Sequence, residues 1–194
     1  MAQFIAFAPD VEVNGETVLS VVDGMGHFKE KAILFLKENG IENPAPGNWY
    51  KQQSWLNAFQ LIAKTTGDFT LFNIGKKIPE NAQFPPSIDS LEKALAAIDV
   101  AYHMNHRIKG EILFNPQTGA VKEGIGHYRF EKINDKNMKM ICNNPYPCDF
   151  DKGIIDAMAQ RFKPAGVPVV MVKHDDTQPC RKKGGDSCTY HISY

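Results

Sequence analysis

The sequence predicts an α+β protein in which an N-terminal helical lobe packs on a C-terminal antiparallel sheet crossed by one helix. Apolar residues recur at helical spacing through the first half of the chain. After Arg107 the pattern changes to alternating and aromatic runs, separated by the turn clusters "NPQTG" and "NDKN". One more helical segment then precedes two β-rich runs, and helices followed by strands indicate the α+β class. We expect 1–194 to be one domain, helical over 1–86 and α+β over 87–194, because 194 residues hardly suffice for two full cores.

Three helical segments are predicted in the first half. "FKEKAILFLKENG" (28–40) places apolar residues on one face and ends in glycine, a favoured helix stop. "WYKQQSWLNAFQLIAKTTG" (49–67) has the same spacing and also ends in glycine. The stretch "TLFNIGKKIP" that follows is compatible with a helix or a strand. Pro85–Pro86 then break the chain, and Ser87 caps the longest periodic segment, which runs to Arg107.

The second half reads as strands around one helix. Residues 110–142 contain two turn clusters between strand-like runs, which predicts a three-stranded meander. A helix follows with Asp149 or Asp151 as its cap and "IIDAMAQRF" as its body. "VPVVMVKHD" is β-branched, and "CTYHISY" alternates as a closing strand would.

Charge and hydropathy exclude several classes of protein. Lys plus Arg equals Asp plus Glu, at 22 each, which argues against a nucleic-acid partner or a polybasic membrane surface. The first apolar run ends at Pro9, too short for a signal peptide, and no run approaches the length of a membrane span. We therefore expect a cytoplasmic protein. Thiols in the cytoplasm stay reduced, so a metal site or a reactive site is favoured over a disulfide.

The C-terminal half resembles a known family. The block "CDFDKGIIDAMAQRF", a β-branched strand, a C-x7-C segment with Gly-Asp inside it and a terminal alternating strand resemble the 4-vinyl reductase domain over roughly Ile98 to Tyr194. That family shares its fold with the haem-nitric-oxide-binding domains and with small subunits of the vesicle-tethering complex. The resemblance implies an apolar ligand pocket between the helical lobe and the sheet. The residues that carry it are Cys148, Asp151, Gly153, Cys180, Gly185, Asp186 and Cys188.

Four cysteines in two close pairs predict a structural zinc site. They are Cys142, Cys148, Cys180 and Cys188. Thiolates are soft ligands, and four of them satisfy tetrahedral zinc. In relatives of the resembled family that sense aromatic compounds, cysteines at such positions hold zinc together with an acidic residue. Thr177 stands three residues before Cys180 where an acid would be expected, which makes Cys142 the substitute ligand. Four buried free thiols are the alternative.

Aromatic residues and histidines predict the lining of the ligand pocket. The candidate lining residues are Trp49, Trp55, Phe59, Tyr102, His103, His106 and Tyr128. In haem-nitric-oxide-binding domains an iron-ligating histidine lies on a helix at about the position of His103 or His106. A haem-based gas or redox sensor is therefore the alternative function. Against haem, the stretch "CNNPYPC" offers no basic residue to pair with the propionates.

The sequence favours a binding protein over an enzyme. It has no glycine-rich dinucleotide motif, no P-loop and no nucleophile elbow. We expect a small-molecule sensor that holds an apolar ligand and a structural zinc, and that acts as a homodimer or through a separate regulatory protein. An assembly module whose pocket holds a lipid chain is the third hypothesis.

Overall fold

Six helices and two four-stranded antiparallel sheets make up residues 3–194, the part of the chain that the computed structural model describes, and they confirm the predicted α+β class. The helices are α1 (Gly15–Gly24), α2 (Lys29–Glu38), α3 (Gln52–Thr66), α4 (Asp68–Asn81), α5 (Leu91–Met104) and α6 (Cys148–Arg161). The strands are β1 (Val11–Asn14), β2 (Trp49–Lys51), β3 (His106–Ile108), β4 (Glu111–Ile112), β5 (Tyr128–Asn134), β6 (Asn137–Cys142), β7 (Met171–His174) and β8 (Cys188–Ser193).

The two sheets divide the strands between the lobes. The small sheet has the order β2-β1-β3-β4 and lies with the helical lobe, while the large sheet has the order β5-β6-β8-β7. Helix α6 connects β6 to β7 and is the predicted crossing helix. The predicted three-stranded meander is wrong in one part, because β4 pairs with β3 in the small sheet and only β5 and β6 pair with each other. Three glycines with positive φ between residues 119 and 126 keep the intervening segment in turns.

Several element boundaries differ from the sequence prediction. Trp49 lies in β2, paired with β1, and α3 begins only at Gln52. Helix α5 begins after Ser90, whose side chain accepts a hydrogen bond from the Lys93 amide, so Ser90 and not Ser87 is the cap. The ambiguous stretch "TLFNIGKKIP" is helical within α4, with Pro79 near its C-terminal end.

The boundary of α6 places a cysteine at the start of that helix. Pro147 occupies the N-cap position and Cys148 begins the helix. Asp149 and Asp151 lie in the first turn rather than at the cap, where their carboxylates favour the positive end of the helix dipole.

Helices α4 and α6 approach each other through backbone atoms. A Cβ added to Gly75 of α4 would lie 2.1 Å from the Phe150 carbonyl oxygen, and one added to Gly153 of α6 would lie 2.1 Å from the Phe72 carbonyl oxygen. Helix α1 makes a similar approach, since a Cβ on Gly24 would lie 2.4 Å from the Ile74 Cα. The three helices α1, α4 and α6 therefore form one closely packed group.

We predict that Gly153→Ala destabilises the protein by about 1–3 kcal/mol, because the new methyl group meets backbone that cannot rotate away. The overpacking should exceed the gain in helix propensity, which is about 1 kcal/mol. Urea unfolding measures the difference. Lys152→Ala, on the same helix, is the control and should change the free energy of unfolding by less than about 0.5 kcal/mol. Equal stability of Gly153→Ala and the native protein would contradict the close approach.

Candidate functional site

A cavity of about 330 Å³ lies between α1, α4, α5 and α6, with Trp55 of α3 and Tyr146 also contributing to its wall. Most of its lining is apolar. The apolar and aromatic lining residues include Trp55, Ile78, Pro79, Phe84, Ala97, Ile98, Ala101, Tyr102, Tyr128, Tyr146, Phe150, Ile154 and Met158. The polar lining residues are Asn14, Glu16, Thr17, Ser20, Lys77, Asn81, Asn105 and His106. A largely apolar cavity with a few polar groups is typical of a small-molecule site, and this volume lies at the small end for such sites.

The cavity has a polar end at His106. The Nδ1 atom of His106 lies 2.7 Å from the Tyr102 carbonyl oxygen, which can only accept, so Nδ1 carries the proton. The Nε2 atom therefore accepts from the Tyr146 hydroxyl at 2.6 Å, and that hydroxyl accepts in turn from the Gln52 side-chain amide at 3.0 Å. Burial lowers the pKa of His106 to about 4, which keeps the ring neutral.

A second polar group of the lining lacks a partner. The indole N–H of Trp55 is buried and has no hydrogen-bond partner among residues 3–194. The same ring packs against Phe59, Tyr146 and Phe150, with centroid separations of 4.6, 5.2 and 5.8 Å. The ring is thus fixed by packing while its donor is left unsatisfied, and a ligand oxygen that reached it would satisfy it.

The predicted pocket residues divide into two groups. Trp55, Tyr102, His106 and Tyr128 line the cavity. Trp49, Phe59 and His103 do not. Phe59 is buried behind Trp55, and Trp49 lies in β2 with the Arg107 guanidinium 4.7 Å from its ring. His103 lies with Asp99 and His127. Sequence reasoning missed Tyr146, although the aromatic residue inside "CNNPYPC" was the signal available.

A buried ion pair separates the cavity from the cysteines. The guanidinium of Arg181 pairs with Asp151, and both side chains are fully buried. Asp151 also accepts a hydrogen bond from the Tyr128 hydroxyl at 2.5 Å. Burial raises the pKa of Asp151 to about 6, against the opposing effect of the Arg181 charge. Arg181 further donates to the carbonyl oxygen of Tyr146 at 2.8 Å and to the backbone and side-chain oxygens of Asn144.

Three of the four predicted metal ligands meet at the start of α6. The Sγ atom of Cys148 lies 3.0 Å from that of Cys188 and 3.7 Å from that of Cys180. The Sγ atoms of Cys180 and Cys188 are 3.9 Å apart. Zinc–sulfur bonds of about 2.3 Å at tetrahedral angles require sulfur–sulfur distances of about 3.8 Å, so two of the three separations already match. The hydrogen bond with Cys148 and the charge of Arg181 lower the pKa of the Cys188 thiol.

The fourth member of this group is His174 and not Cys142. Ligand atoms of His174 and the three cysteines all lie within 4.8 Å of one another. The Nδ1 atom of His174 is 3.0 Å from the Asp176 carboxylate. Its Nε2 atom is buried and has no hydrogen bond of normal geometry within residues 3–194, although the ring is near enough to help lower the pKa of Cys188. Cys142 is buried on β6, opposite Cys188 in the strand register, and is outside the group.

The comparisons with known proteins identify the fold. No family model and no curated protein matches the chain. Among solved structures, one from a study of haem distortion in the H-NOX family has a TM-score of 0.63 at 15% identity, over 93% of this chain and 94% of that one. An H-NOX protein from S. oneidensis in its Fe(II)NO state has a TM-score of 0.61 at 13% identity, over 93% and 98% of the two chains. An oxygen-binding H-NOX domain related to soluble guanylate cyclases has a TM-score of 0.61 at 14% identity, over 93% and 94%.

The chain has the H-NOX fold. The predicted membership of the 4-vinyl reductase family is wrong, because no family model matches and the similar solved structures are H-NOX domains. At these identities the similarity concerns the fold alone, and the occupant of the cavity has to be argued from the residues present. Within residues 3–194, no helix is both long and apolar enough to cross a lipid bilayer.

Three features of this arrangement of side chains count against a haem. The cavity lies at the lower limit for drug-sized ligands, and a haem is larger than most of these. The Nε2 atom of His106, which would ligate iron, is already bonded to Tyr146. Lys77 is the only basic residue among the lining residues described, so two propionates would lack partners. The tautomer of His106 is the one feature that suits an axial ligand, since ligating histidines usually donate the other ring N–H to a carbonyl or carboxylate.

We predict that His106 makes the protein less stable in mild acid. Between pH 6.5 and about 4 the unfolded chain binds a proton that the folded chain excludes, so the free energy of unfolding falls as the pH falls. The loss should reach about 3 kcal/mol at pH 4. Urea unfolding at several pH values measures it. In His106→Gln this part of the pH dependence should disappear, whereas His191→Gln, at an exposed position, should retain it. Identical pH profiles for His106→Gln and the native protein would contradict the prediction.

Proposed function

We propose that this chain is a sensor domain of the H-NOX fold whose cavity binds a compact, largely apolar molecule carrying one hydrogen-bonding oxygen. The observation that carries the proposal is the polar end of an otherwise apolar cavity. In the lining, the Trp55 N–H has no hydrogen-bond partner within residues 3–194, and His106 is held neutral beside Tyr146. An oxygen that accepts from Trp55 would remove an unsatisfied buried donor, which costs about 1–3 kcal/mol when it is left alone.

The size of the cavity narrows the ligand class. A volume of about 330 Å³ suits a molecule of one or two rings, and the aromatic lining supplies flat apolar faces for it. Among the lining residues described, only Glu16 and Lys77 carry a charge. So few charges could not compensate a strongly charged ligand for the loss of its hydration, so such a ligand is disfavoured. A one- or two-ring alcohol or ketone has both the apolar body and the oxygen that this site would recognise.

The second part of the proposal is a structural zinc on Cys148, His174, Cys180 and Cys188. The sulfur separations and the unpaired Nε2 of His174 suit a tetrahedral ion. The Asp176 carboxylate would orient the ring of His174, as carboxylates do for ligating histidines in zinc proteins. The backbone N–H of Arg181 already donates to Cys188 Sγ at 3.4 Å, which would stabilise a thiolate there. Bound zinc would fasten β8 to the start of α6.

Haem is the second candidate occupant. The similar solved structures include H-NOX proteins described in iron ligation states, and the proton of His106 lies on Nδ1, which leaves Nε2 as the potential ligand. The size of the cavity and the Tyr146 contact count against it. A location in the cytoplasm, and signalling through a homodimer or a separate regulatory protein, stay predictions.

For the cavity, we predict that one- and two-ring alcohols or ketones raise the melting temperature more than hydrocarbons of the same size. A ligand at a hundred times its dissociation constant should add about 2.7 kcal/mol. Trp55→Phe keeps the ring but removes the N–H donor and should weaken binding about tenfold, because a lost hydrogen bond costs about 1–1.5 kcal/mol. Trp49→Phe is the matched control and should bind normally, since Trp49 lies outside the cavity.

The absorption spectrum of the purified protein separates the two candidates. A Soret band after expression with haem supplied, together with no thermal shift from any compound, would overturn the small-molecule proposal and favour haem. Thermal shifts that Trp55→Phe and Trp49→Phe affect equally would contradict the assignment of the indole donor.

For the metal, we predict about one thiolate-bound zinc per chain, released when a mercurial reagent titrates the thiols. Cys188→Ser should lose this zinc and lower the free energy of unfolding by several kcal/mol, because assembly of the site is coupled to folding. Cys142→Ser should retain the zinc, since Cys142 lies outside the group. If neither the native protein nor Cys142→Ser releases zinc, and all thiols titrate freely, the cysteines are four buried thiols that hold no metal.

A further inference from the structure

A second group of potential metal ligands lies on α5, apart from the cysteines and the cavity lining. Asp99 and His103 are four residues apart on α5 and so share one face of the helix. His127, immediately before β5, faces them. One ligand atom from each of the three residues lies within 4.8 Å of the other two.

One nitrogen of His103 has no hydrogen-bond partner in the part of the chain that the structure describes. Its Nδ1 atom lies 2.8 Å from the Asp99 carbonyl oxygen and must donate to it, so the lone pair is on Nε2. The side chain is 0% exposed, and Nε2 has no hydrogen-bond partner among residues 3–194. A buried acceptor without a donor costs stability, and a cation is one group that would satisfy it.

The carboxylate of this group is held in place. One oxygen of Asp99 accepts from the Tyr128 backbone N–H at 2.8 Å. The two oxygens of Asp99 also lie 3.3 and 3.0 Å from His127 Nδ1. Glu123 brings a second carboxylate to His127, with an oxygen 3.0 Å from Nε2. Two imidazoles and one carboxylate thus converge where hydrogen bonds already fix the carboxylate, and Glu123 holds the far edge of the His127 ring.

We propose that Asp99, His103 and His127 bind a divalent transition-metal ion of the zinc class, with Glu123 orienting His127 from the solvent side through the other ring nitrogen. Imidazole nitrogen and carboxylate oxygen are the donors that zinc, cobalt and nickel accept, and two histidines with one or two carboxylates are a sufficient set. The ion would replace the proton shared between His127 and Asp99 and would give His103 Nε2 a partner. This site is independent of the cysteine group, because it has no thiolate and no residue in common with it.

The two sites can be told apart by their spectra. Cobalt bound to thiolates absorbs strongly in the near ultraviolet through sulfur-to-metal charge transfer, whereas cobalt bound to nitrogen and oxygen shows only weak bands. We expect the full chain, titrated with Co²⁺, to bind a second equivalent that adds no charge-transfer absorption. If the cysteine group binds no metal, the charge-transfer band will be missing, but the nitrogen–oxygen site will still bind its equivalent.

The deciding experiment is equilibrium dialysis of the full chain against Zn²⁺, before and after saturation of the thiolate site. His127→Gln and Asp99→Asn should weaken the thiolate-independent equivalent by about 100-fold or more, since even the loss of an outer-shell partner costs about 10–100-fold. Both substitutions are at half-buried positions and preserve side-chain hydrogen bonding, so both variants should fold. His191→Gln is the matched control, because His191 forms an exposed histidine–carboxylate pair with Asp175 at 2.8 Å. Its zinc binding should stay within about twofold of the native protein.

The zinc binding of the native chain and the three variants decides whether this group is a metal site. A thiolate-independent equivalent that both variants lose and His191→Gln keeps establishes the site. If the native chain binds no such equivalent, or if His127→Gln and Asp99→Asn bind it as the native chain does, the proposal is overturned. In that case the group is a histidine held between two carboxylates by hydrogen bonds.

Discussion

The buried pair of Arg181 and Asp151 is the interaction on which the rest of the C-terminal half depends. Two charges removed from water are tolerated only when hydrogen bonds surround them, and here Tyr128, Asn144 and Tyr146 supply these bonds. Those partners come from two separate parts of the fold. Tyr128 begins β5, Asn144 and Tyr146 lie in the loop before α6, and Arg181 follows Cys180 of the cysteine group. The pair therefore connects the cavity wall, the loop before α6 and the segment that leads into the last strand.

This network gives the cavity and the cysteine group a common boundary. Tyr146 receives a bond from Arg181 at its carbonyl oxygen and offers its hydroxyl to His106, so the polar end of the cavity is only one residue from the buried charges. On the other side, the amide of Arg181 donates to the Cys188 sulfur. A change in the charge of the cysteine group would reach the cavity through a single, fully buried side chain.

The fold could be predicted from the sequence more completely than the candidate sites could. Helices α5 and α6 and strands β6 and β8 have clear periodicity, and they were predictable because local spacing alone determines which face is buried. The short strand that contains Trp49 was not, because three residues carry no period and their partner is far away in sequence. The cysteine group shows the same limit. Cys142 seemed suitable from its spacing, but the antiparallel pairing of β7 with β8, and not proximity along the chain, brings His174 to the cysteines. Tyr146 became important only once a long-range contact with His106 existed.

The glycines of the helical lobe determine which helices are in backbone contact with one another. Gly24, Gly75 and Gly153 bring α1, α4 and α6 into backbone contact, so these helices cannot slide or separate without losing that contact. Helix α5 contains no glycine and meets its neighbours through side chains, which can change rotamer. Of the four helices around the cavity, α5 is therefore the one that side-chain rearrangement alone could displace. Any such displacement would be transmitted to the opposite face of that helix, where Asp99 and His103 lie.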